Sequence, residues 1–457
     1  MIIVESGAIT MSLKSQKNES QNLSVAEKVL MLRTHHKVSQ VELAEFMRVK
    51  KERISYAERG DAEYTEEHLK SIKERFDIVG LPLTARECVA FRERLYYWRD
   101  LIRAKRMEEA RAIHKEMFNI YNLEPCDPEM VMLYRMIEVK FLVAEGNNKS
   151  ATEKLDIPQK RIDEMSDENK FHFWNNKGAL YTYQGCCEEG LEFLLKAYKL
   201  MGNNEALVYE DDGALYYAIA MCYTYIEIPH HAITFWQKAR QAYPTKRTTR
   251  FILRVEQGLA LNYVKINQLD DAETLLNKCL IMAESIKGEN YLSHTLFCYG
   301  YMHKKAKNWG AAVEYFDKAL NYAPKGSVDY YPCIYHKIQC IIHTRAFTKA
   351  GQLLEQVKNI CKNDDVWAVY FEALGHYLKI SRRMTSNEND ESIEYIENIA
   401  IPYFIKMHDY LNAVEYYLLL EQHHEKMKRI MQSLLMTKAI LDIYTRCYVN
   451  LKREIKL

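Results

Sequence analysis

Five times along the chain a small or compact residue sits inside an apolar helical run: Gly178, Ala220, Ala260, Gly300 and Ile338, in steps of 42, 40, 40 and 38 residues. Twelve positions after each comes a second compact residue, Gly190, Ala232, Ala272, Ala312 and Ala350. Four further on stands a large apolar one, Leu194, Trp236, Leu276, Phe316 and Leu354. Small residues let helices approach closely, and a fixed period near 40 is the signature of a stacked array rather than of one globule. Proline closes two of the units, at Pro244 and Pro324. At 457 residues the chain also exceeds the size at which a single core stops growing.

Composition agrees with helix. Hydrophobic residues make up 48% and charged residues 27%, with only 16 Gly and 9 Pro, too few for a turn-rich β protein. The formal charge is +1, from 63 basic and 62 acidic residues, so any surface that attracts nucleic acid must be local. The 11 cysteines are scattered and show no CxxC spacing, which fits a reducing, cytoplasmic setting. The start, MIIVESGAIT, lacks a basic leader, and the apolar runs are too short and polar for a membrane span. Residues 1–23 are expected to be a disordered tail, with Met1 and Met11 as candidate starts.

Residues 24–82 have a different character. Apolar positions from Val25 to Leu32 predict a helix that Ser24 can cap. Ser39 and Glu42 form a capping-box pair ahead of Val41, Leu43, Ala44 and Phe46, which are expected to supply apolar contacts. After a turn at Met47–Val49, the segment from Lys50 to Glu58 places Ile54 and Ala57 inward and Lys50, Lys51, Glu52, Arg53 and Tyr56 outward. Basic and acidic residues balance over 24–77, eleven of each, yet Arg48, Lys50, Lys51 and Arg53 cluster within six positions. A further helix from Thr65 carries Leu69, Ile72 and Phe76 on one stripe, and Pro82 ends the module.

The spacing Ser39, Gln40, Leu43, Ala44, Val49, Ile54, Ser55, Glu58 and Gly60 resembles the helix-turn-helix of the Xre and Cro repressor family. The resemblance implies that Gln40 meets a phosphate, that Lys51, Glu52 and Tyr56 face bases, and that Lys50 and Arg53 flank them. Arg48 occupies a turn position where that family commonly has glycine, which predicts either a looser turn or an added backbone contact.

The period from Gly178 onward resembles the tetratricopeptide repeat, although it is longer than the usual ~34 residues. That resemblance implies an all-α fold: the N-terminal helix-turn-helix followed, over 83–457, by a right-handed superhelical array of helical hairpins for peptide binding and dimerisation. If each small residue is the eighth of its repeat, the fifth and ninth positions point into a concave groove. These are Asn175, Tyr217, Met221, Gln257, Tyr301, Tyr335 and Gln339, with Tyr183 and Arg254 nearby. Amides can meet a peptide backbone and tyrosines add flat apolar area. The competing reading is that the tyrosines pack between helices.

The combination resembles the peptide-sensing Rap, Rgg, NprR, PlcR and PrgX regulators of Gram-positive bacteria, most of all the NprR branch. It implies a cytoplasmic homodimer or higher oligomer that binds a double-stranded DNA operator and a short signalling peptide, the peptide changing head placement or oligomeric state. The alternative is a Rap-like interaction protein that sequesters a signalling protein such as a sporulation phosphotransferase. No metal site, cofactor or catalytic role is expected. The histidine pairs at 35/36, 230/231 and 423/424 are adjacent and diverge on a helix, and no nucleophile elbow, phosphate loop or dinucleotide fingerprint occurs.

Overall fold

The computed structural model describes residues 25–78, 80–103, 106–120, 123, 126–203, 208–242, 249–327, 329–361, 365–384 and 390–454. The expected N-terminal tail, the cap at Ser24 and Pro244 lie outside these residues. The described chain is almost wholly α-helical. Among the described residues, no helix is long and apolar enough to cross a membrane. Contacts divide the chain into two compact units, the first ending at Leu180 and the second beginning at Tyr181, so the expected boundary near Pro82 lies inside the first.

The first unit opens with four short helices, α1 (25–35), α2 (Gln40–Met47), α3 (Lys51–Glu58) and α4 (Glu66–Phe76). Leu43 and Ala44 of α2, Ile54 of α3 and Ile72 and Phe76 of α4 bury a common core with Val29 and Leu32 of α1. Two of the expected contacts are absent: Val41 and Phe46 are 44% and 47% exposed. On an eight-residue helix only one narrow stripe can reach the core, and Leu43 and Ala44 occupy it. Helices α5 (Ala85–Arg103), α6 (Met107–Ile120), α7 (Pro128–Ala144), α8 (Asn148–Lys160) and α9 (Asp167–Tyr183) follow.

The second unit begins within α9 and continues as antiparallel pairs: α10 (Cys187–Asn203), α11 (Val208–Tyr225) with α12 (Pro229–Ala242), α13 (Thr249–Lys265) with α14 (Leu269–Ser285), α15 (Glu289–Lys305) with α16 (Trp309–Leu320), and α17 (Tyr330–His343) with α18 (Phe347–Ile360). Then come α19 (Asp365–Arg382), α20 (Asp390–Tyr395), a π-helical turn (Ile396–Ala400), α21 (Ile401–Lys406), α22 (Tyr410–Lys426) and α23 (Ile430–Glu454).

The period is written into the backbone. Seven residues after each small position, the chain turns through a left-handed residue: Gly185, Glu227, Asn267, Lys307 and Arg345, with φ of 83°, 61°, 64°, 57° and 60°. The next amide returns to the carbonyl five residues back, as Gln268 does to Tyr263 and Asn308 to His303, both at 2.9 Å. This double turn satisfies carbonyls that a helix end leaves unpaired. The same register holds at Gly146 and His408, so Val139 with Ala151 and Ile401 with Ala413 are hairpins of the same kind.

Close approach is tightest at two glycines. A Cβ on Gly300 would lie 2.7 Å from Phe316 Cδ1 and Cε1, and one on Gly258 would lie 2.5 Å from Trp236 Cε2 and Cζ2. Trp236 cannot easily retreat, because its Nε1 donates to Thr224 Oγ1 at 3.1 Å and Asn262 Nδ2 donates to the same oxygen at 2.8 Å. Overpacking costs about 1–3 kcal/mol, partly offset by up to ~1 kcal/mol of helix propensity gained over glycine. Gly258→Ala is therefore expected to lower the unfolding free energy by about 2 kcal/mol, and Gly300→Ala by less, as measured by urea titration. Equal stability of Gly258→Ala and wild type would show that the indole is free to move.

Candidate functional site

In the first unit the geometry is set by one carboxylate. Glu58 of α3 receives Arg33 of α1 at 2.6 Å (Nε to Oε1) and 3.0 Å (Nη2 to Oε2), and Gln40 Nε2 of α2 at 2.8 Å. Arg33 also donates to the Val38 carbonyl at 3.0 Å. The Glu58 carboxylate is almost wholly buried, and its hydrogen bond to Arg33 raises the pKa of the guanidinium. Three helices are thereby fixed to each other, and Gln40 spends an amide N–H on this pairing. The expected capping box is present, with Ser39 and Glu42 each accepting from the other's backbone N–H. Arg48 adopts φ 56°, ψ 40° and closes α2 with its N–H directed at Ala44 and Glu45, so the turn is tight despite the missing glycine.

This fixes which α3 side chains face water. Arg48, Lys50, Lys51 and Glu52 are exposed, and Tyr56 is 50% exposed with the Arg59 guanidinium 4.9 Å from its ring centre. Arg53 differs from expectation: it is half-buried and donates to the Glu63 carbonyl, which bends it toward the loop after α3.

In the second unit the groove candidates fall into two groups. Tyr183 is 68% exposed, Arg254 is exposed, and Tyr217 and Met221 are half-buried. Tyr217 packs edge-on against Trp236 and tilted against Phe251, both at 5.0 Å. Burial raises its pKa, against the opposing pull of Arg254. The other group is buried. Gln257 donates to the Tyr291 carbonyl at 2.9 Å and to Thr295 Oγ1 at 2.8 Å, and Tyr301 lies stacked with Phe297. Tyr335 and Gln339 are 1% and 0% exposed. These four present little side chain to an incoming ligand, because adjacent first helices press together along that row. Asn175 belongs to the first unit and is buried on α9.

Tyr335 and Gln339 belong to a polar cluster absent from the sequence reading. Lys304 Nζ donates to Gln339 Oε1 at 2.6 Å and to Glu415 Oε2 at 3.0 Å, joining α15, α17 and α22 across 111 residues of sequence. Tyr335 Oη donates to Asn412 Oδ1 at 3.1 Å, and Asn412 Nδ2 donates to Asp409 Oδ2 at 2.7 Å. Further along the same turn, His408 Nε2 lies 3.2 Å from Glu188 Oε2 at the start of α10. Burial alone would push the Glu415 pKa up, but Lys304 and the neighbouring His343 and His336 bring it down to about 2. Burial and the Lys304 charge depress the His336 imidazole to about 3.

One signal could have exposed more of the open face. Five residues after each small position stand Tyr183, Tyr225, Lys265, Lys305 and His343, a second row at the repeat spacing. Tyr225 is 56% exposed, and Lys265 is paired with Glu227 at 2.7 Å. Among the described residues no group of three or more His, Cys, Asp or Glu side chains is placed to hold a metal ion.

Repeated helical hairpins with one open row of first-helix side chains define an all-helical repeat protein. The chain is similar in sequence to a Rap regulator and in fold to Rap and NprR proteins. It is 21% identical over 245 residues, 53% of this chain and 69% of the relative, to the regulatory protein RapD of Bacillus subtilis (strain 168). The structure of NprR in complex with its cognate peptide NprX superimposes with a TM-score of 0.62 at 22% identity, over 78% of this chain and 99% of that one. A Rap protein complexed with Competence and Sporulation Factor gives 0.66 at 12% identity, over 80% and 99%. No protein-family profile matches the chain.

The depressed imidazole makes an acid signature. His336 stays neutral in the fold, whereas in the unfolded chain it titrates near 6.5, so the unfolded state gains a proton that the fold refuses. Stability from this group is full above about pH 6.5 and drains as pH falls toward 3. Glu415 adds a second loss between about 4.5 and 2. Between pH 7.5 and 5 the unfolding free energy is expected to drop, with about 1–2 kcal/mol of the drop absent in His336→Asn. Identical pH slopes for the variant and wild type in denaturant titrations would remove His336 as the cause.

Proposed function

We propose that this chain is a peptide-responsive regulatory protein of the Rap and NprR kind, taking a short peptide along the open first-helix row of its second unit. The observation that carries the proposal is the row itself. Tyr183, Tyr217, Met221 and Arg254 stay accessible on successive first helices, in the fold shared with an NprR and a Rap protein that were each solved with a signalling ligand. Aromatic area with a few polar groups is what a peptide groove requires. The chain is proposed to act by binding.

Two outputs follow from two different observations. The similarity to RapD and to the Rap complex favours capture of a signalling protein, such as a phosphotransferase, by the helical body. The first unit favours a second output on duplex DNA. There α2, a tight turn and α3 form a helix-turn-helix whose exposed face presents Arg48, Lys50, Lys51 and Tyr56, held by the Glu58 anchor at a fixed angle. Basic side chains on such a helix suit entry into the major groove, with phosphates fixing the register. In a homodimer, two such heads would be spaced by the assembly, and the peptide would act by preferring one spacing over another.

The full-length chain and its Lys50→Ala/Lys51→Ala double variant separate the outputs. On a DNA output, wild type is retained by promoter fragments at about 50 mM salt and released as salt rises. The double variant then loses at least about tenfold in affinity, and its salt slope falls by about 2. Absence of any salt-sensitive retention of wild type would eliminate the DNA output and leave protein capture as the function.

A further inference from the structure

Among the described residues of the open face, Arg254 is the exposed cation that no carboxylate pairs. Lys265 is matched with Glu227 at 2.7 Å and Lys304 with Glu415 at 3.0 Å, while Lys305 is half-buried. Arg254 projects from α13 and is exposed, and among the described residues no carboxylate lies within ion-pair distance of it. Its surroundings are aromatic hydroxyls instead. The guanidinium sits 5.2 Å from the Tyr291 ring centre, and it influences Tyr217 and Tyr225 on α11 and His294 on α15.

We infer that Arg254 is the residue of this groove that reads a carboxylate on the bound peptide, with Tyr217 and Tyr291 beside it. The inference rests on the peptide-binding reading above and adds the ligand's chemistry. A guanidinium offers a planar fork of donors that matches a carboxylate in two parallel hydrogen bonds, which a lysine ammonium cannot reproduce. Stacking on Tyr291 holds the fork in one plane before a ligand arrives, so less side-chain freedom is lost on binding. A carboxylate entering this site would exchange water for two charge-assisted bonds, while tyrosine faces cover the residues beside it. The carboxylate can come from an Asp or Glu side chain or from the peptide's C-terminus, and the chemistry at Arg254 is the same.

The test uses the full chain and four synthetic pools of random octapeptides, with Asp and Glu allowed or omitted and the C-terminus free or amidated. Retained peptides are counted by mass spectrometry after gel filtration. Wild type is expected to retain peptides from at least one carboxylate-bearing pool at least tenfold over the amidated, acid-free pool. The pool that is retained identifies the source. Arg254→Gln should erase that preference and Arg254→Lys should restore only part of it, with thermal unfolding confirming that each variant is folded. Equal retention of the acid-free amidated pool by wild type would overturn the carboxylate assignment and leave peptide binding standing. Retention of no pool at all would instead remove the peptide-binding reading beneath it.

Discussion

The helical array depends on how closely helices can approach, within a hairpin at Gly300 and between hairpins at Gly258. Where Gly258 meets the Trp236 ring and Gly300 meets Phe316, the distance is set by the absence of a Cβ, and neighbouring side chains are arranged around that contact. Trp236 is held by Thr224, and Thr224 in turn accepts from Asn262 one hairpin further on. A change at Gly258, two residues before the small position Ala260, is thus felt in the preceding hairpin, as expected of an array in which each unit contacts its neighbours. The left-handed turn seven residues after the small position fixes the register in which the second helix returns, so contact and turn together determine which residues of each first helix remain open.

Much of this was legible in the sequence because it is local. The small residue, its partner twelve positions on and the large residue after that are all within one hairpin, and their spacing survives in the observed helices. The turn residues were not legible. Glu227, Lys307, Arg345 and His408 take positive φ without being glycine or asparagine, and nothing in their side chains announces it. The hairpin at Val139 was hidden for a related reason: a larger residue occupies the small position, so only the backbone reveals its place in the period. Near the N-terminus the capping box at Ser39 was readable from four residues, while the outward placement of Phe46 depends on which stripe the other helices cover.

The polar cluster around Lys304 shows the complementary limit. Lys304 and Glu415 are 111 residues apart, and no short motif marks either as a partner of the other. Two charges are removed from much of the surrounding water there, which is costly unless both are paired and hydrogen-bonded. Gln339, Asn412, Asp409, Tyr370 and Tyr335 complete the bonding, with Tyr370 donating to Asp409 Oδ2 at 2.8 Å. A row of amides and tyrosines that reads in sequence as a ligand-facing surface is used partly as internal adhesive. The residue types suit both purposes, and only the three-dimensional partner decides between them.

A net charge of +1 conceals how unevenly charge is used. Around the start of α3, Arg48, Lys50 and Lys51 are left in water, where each adds to a local field that salt can screen. In the second unit Lys265 and Lys304 are cancelled by carboxylates a few ångströms away and Lys305 is half-buried, which lowers nonspecific attraction for anions and makes an exposed, uncancelled charge selective by contrast. Had Lys265 and Lys304 been left free alongside Arg254, the groove would attract acidic chains in general. With their charges spent on Glu227 and Glu415, recognition can depend on one guanidinium of fixed orientation. Pairing inside the array therefore contributes to specificity as well as to cohesion, because a binding surface discriminates by what it leaves unsatisfied as much as by what it offers.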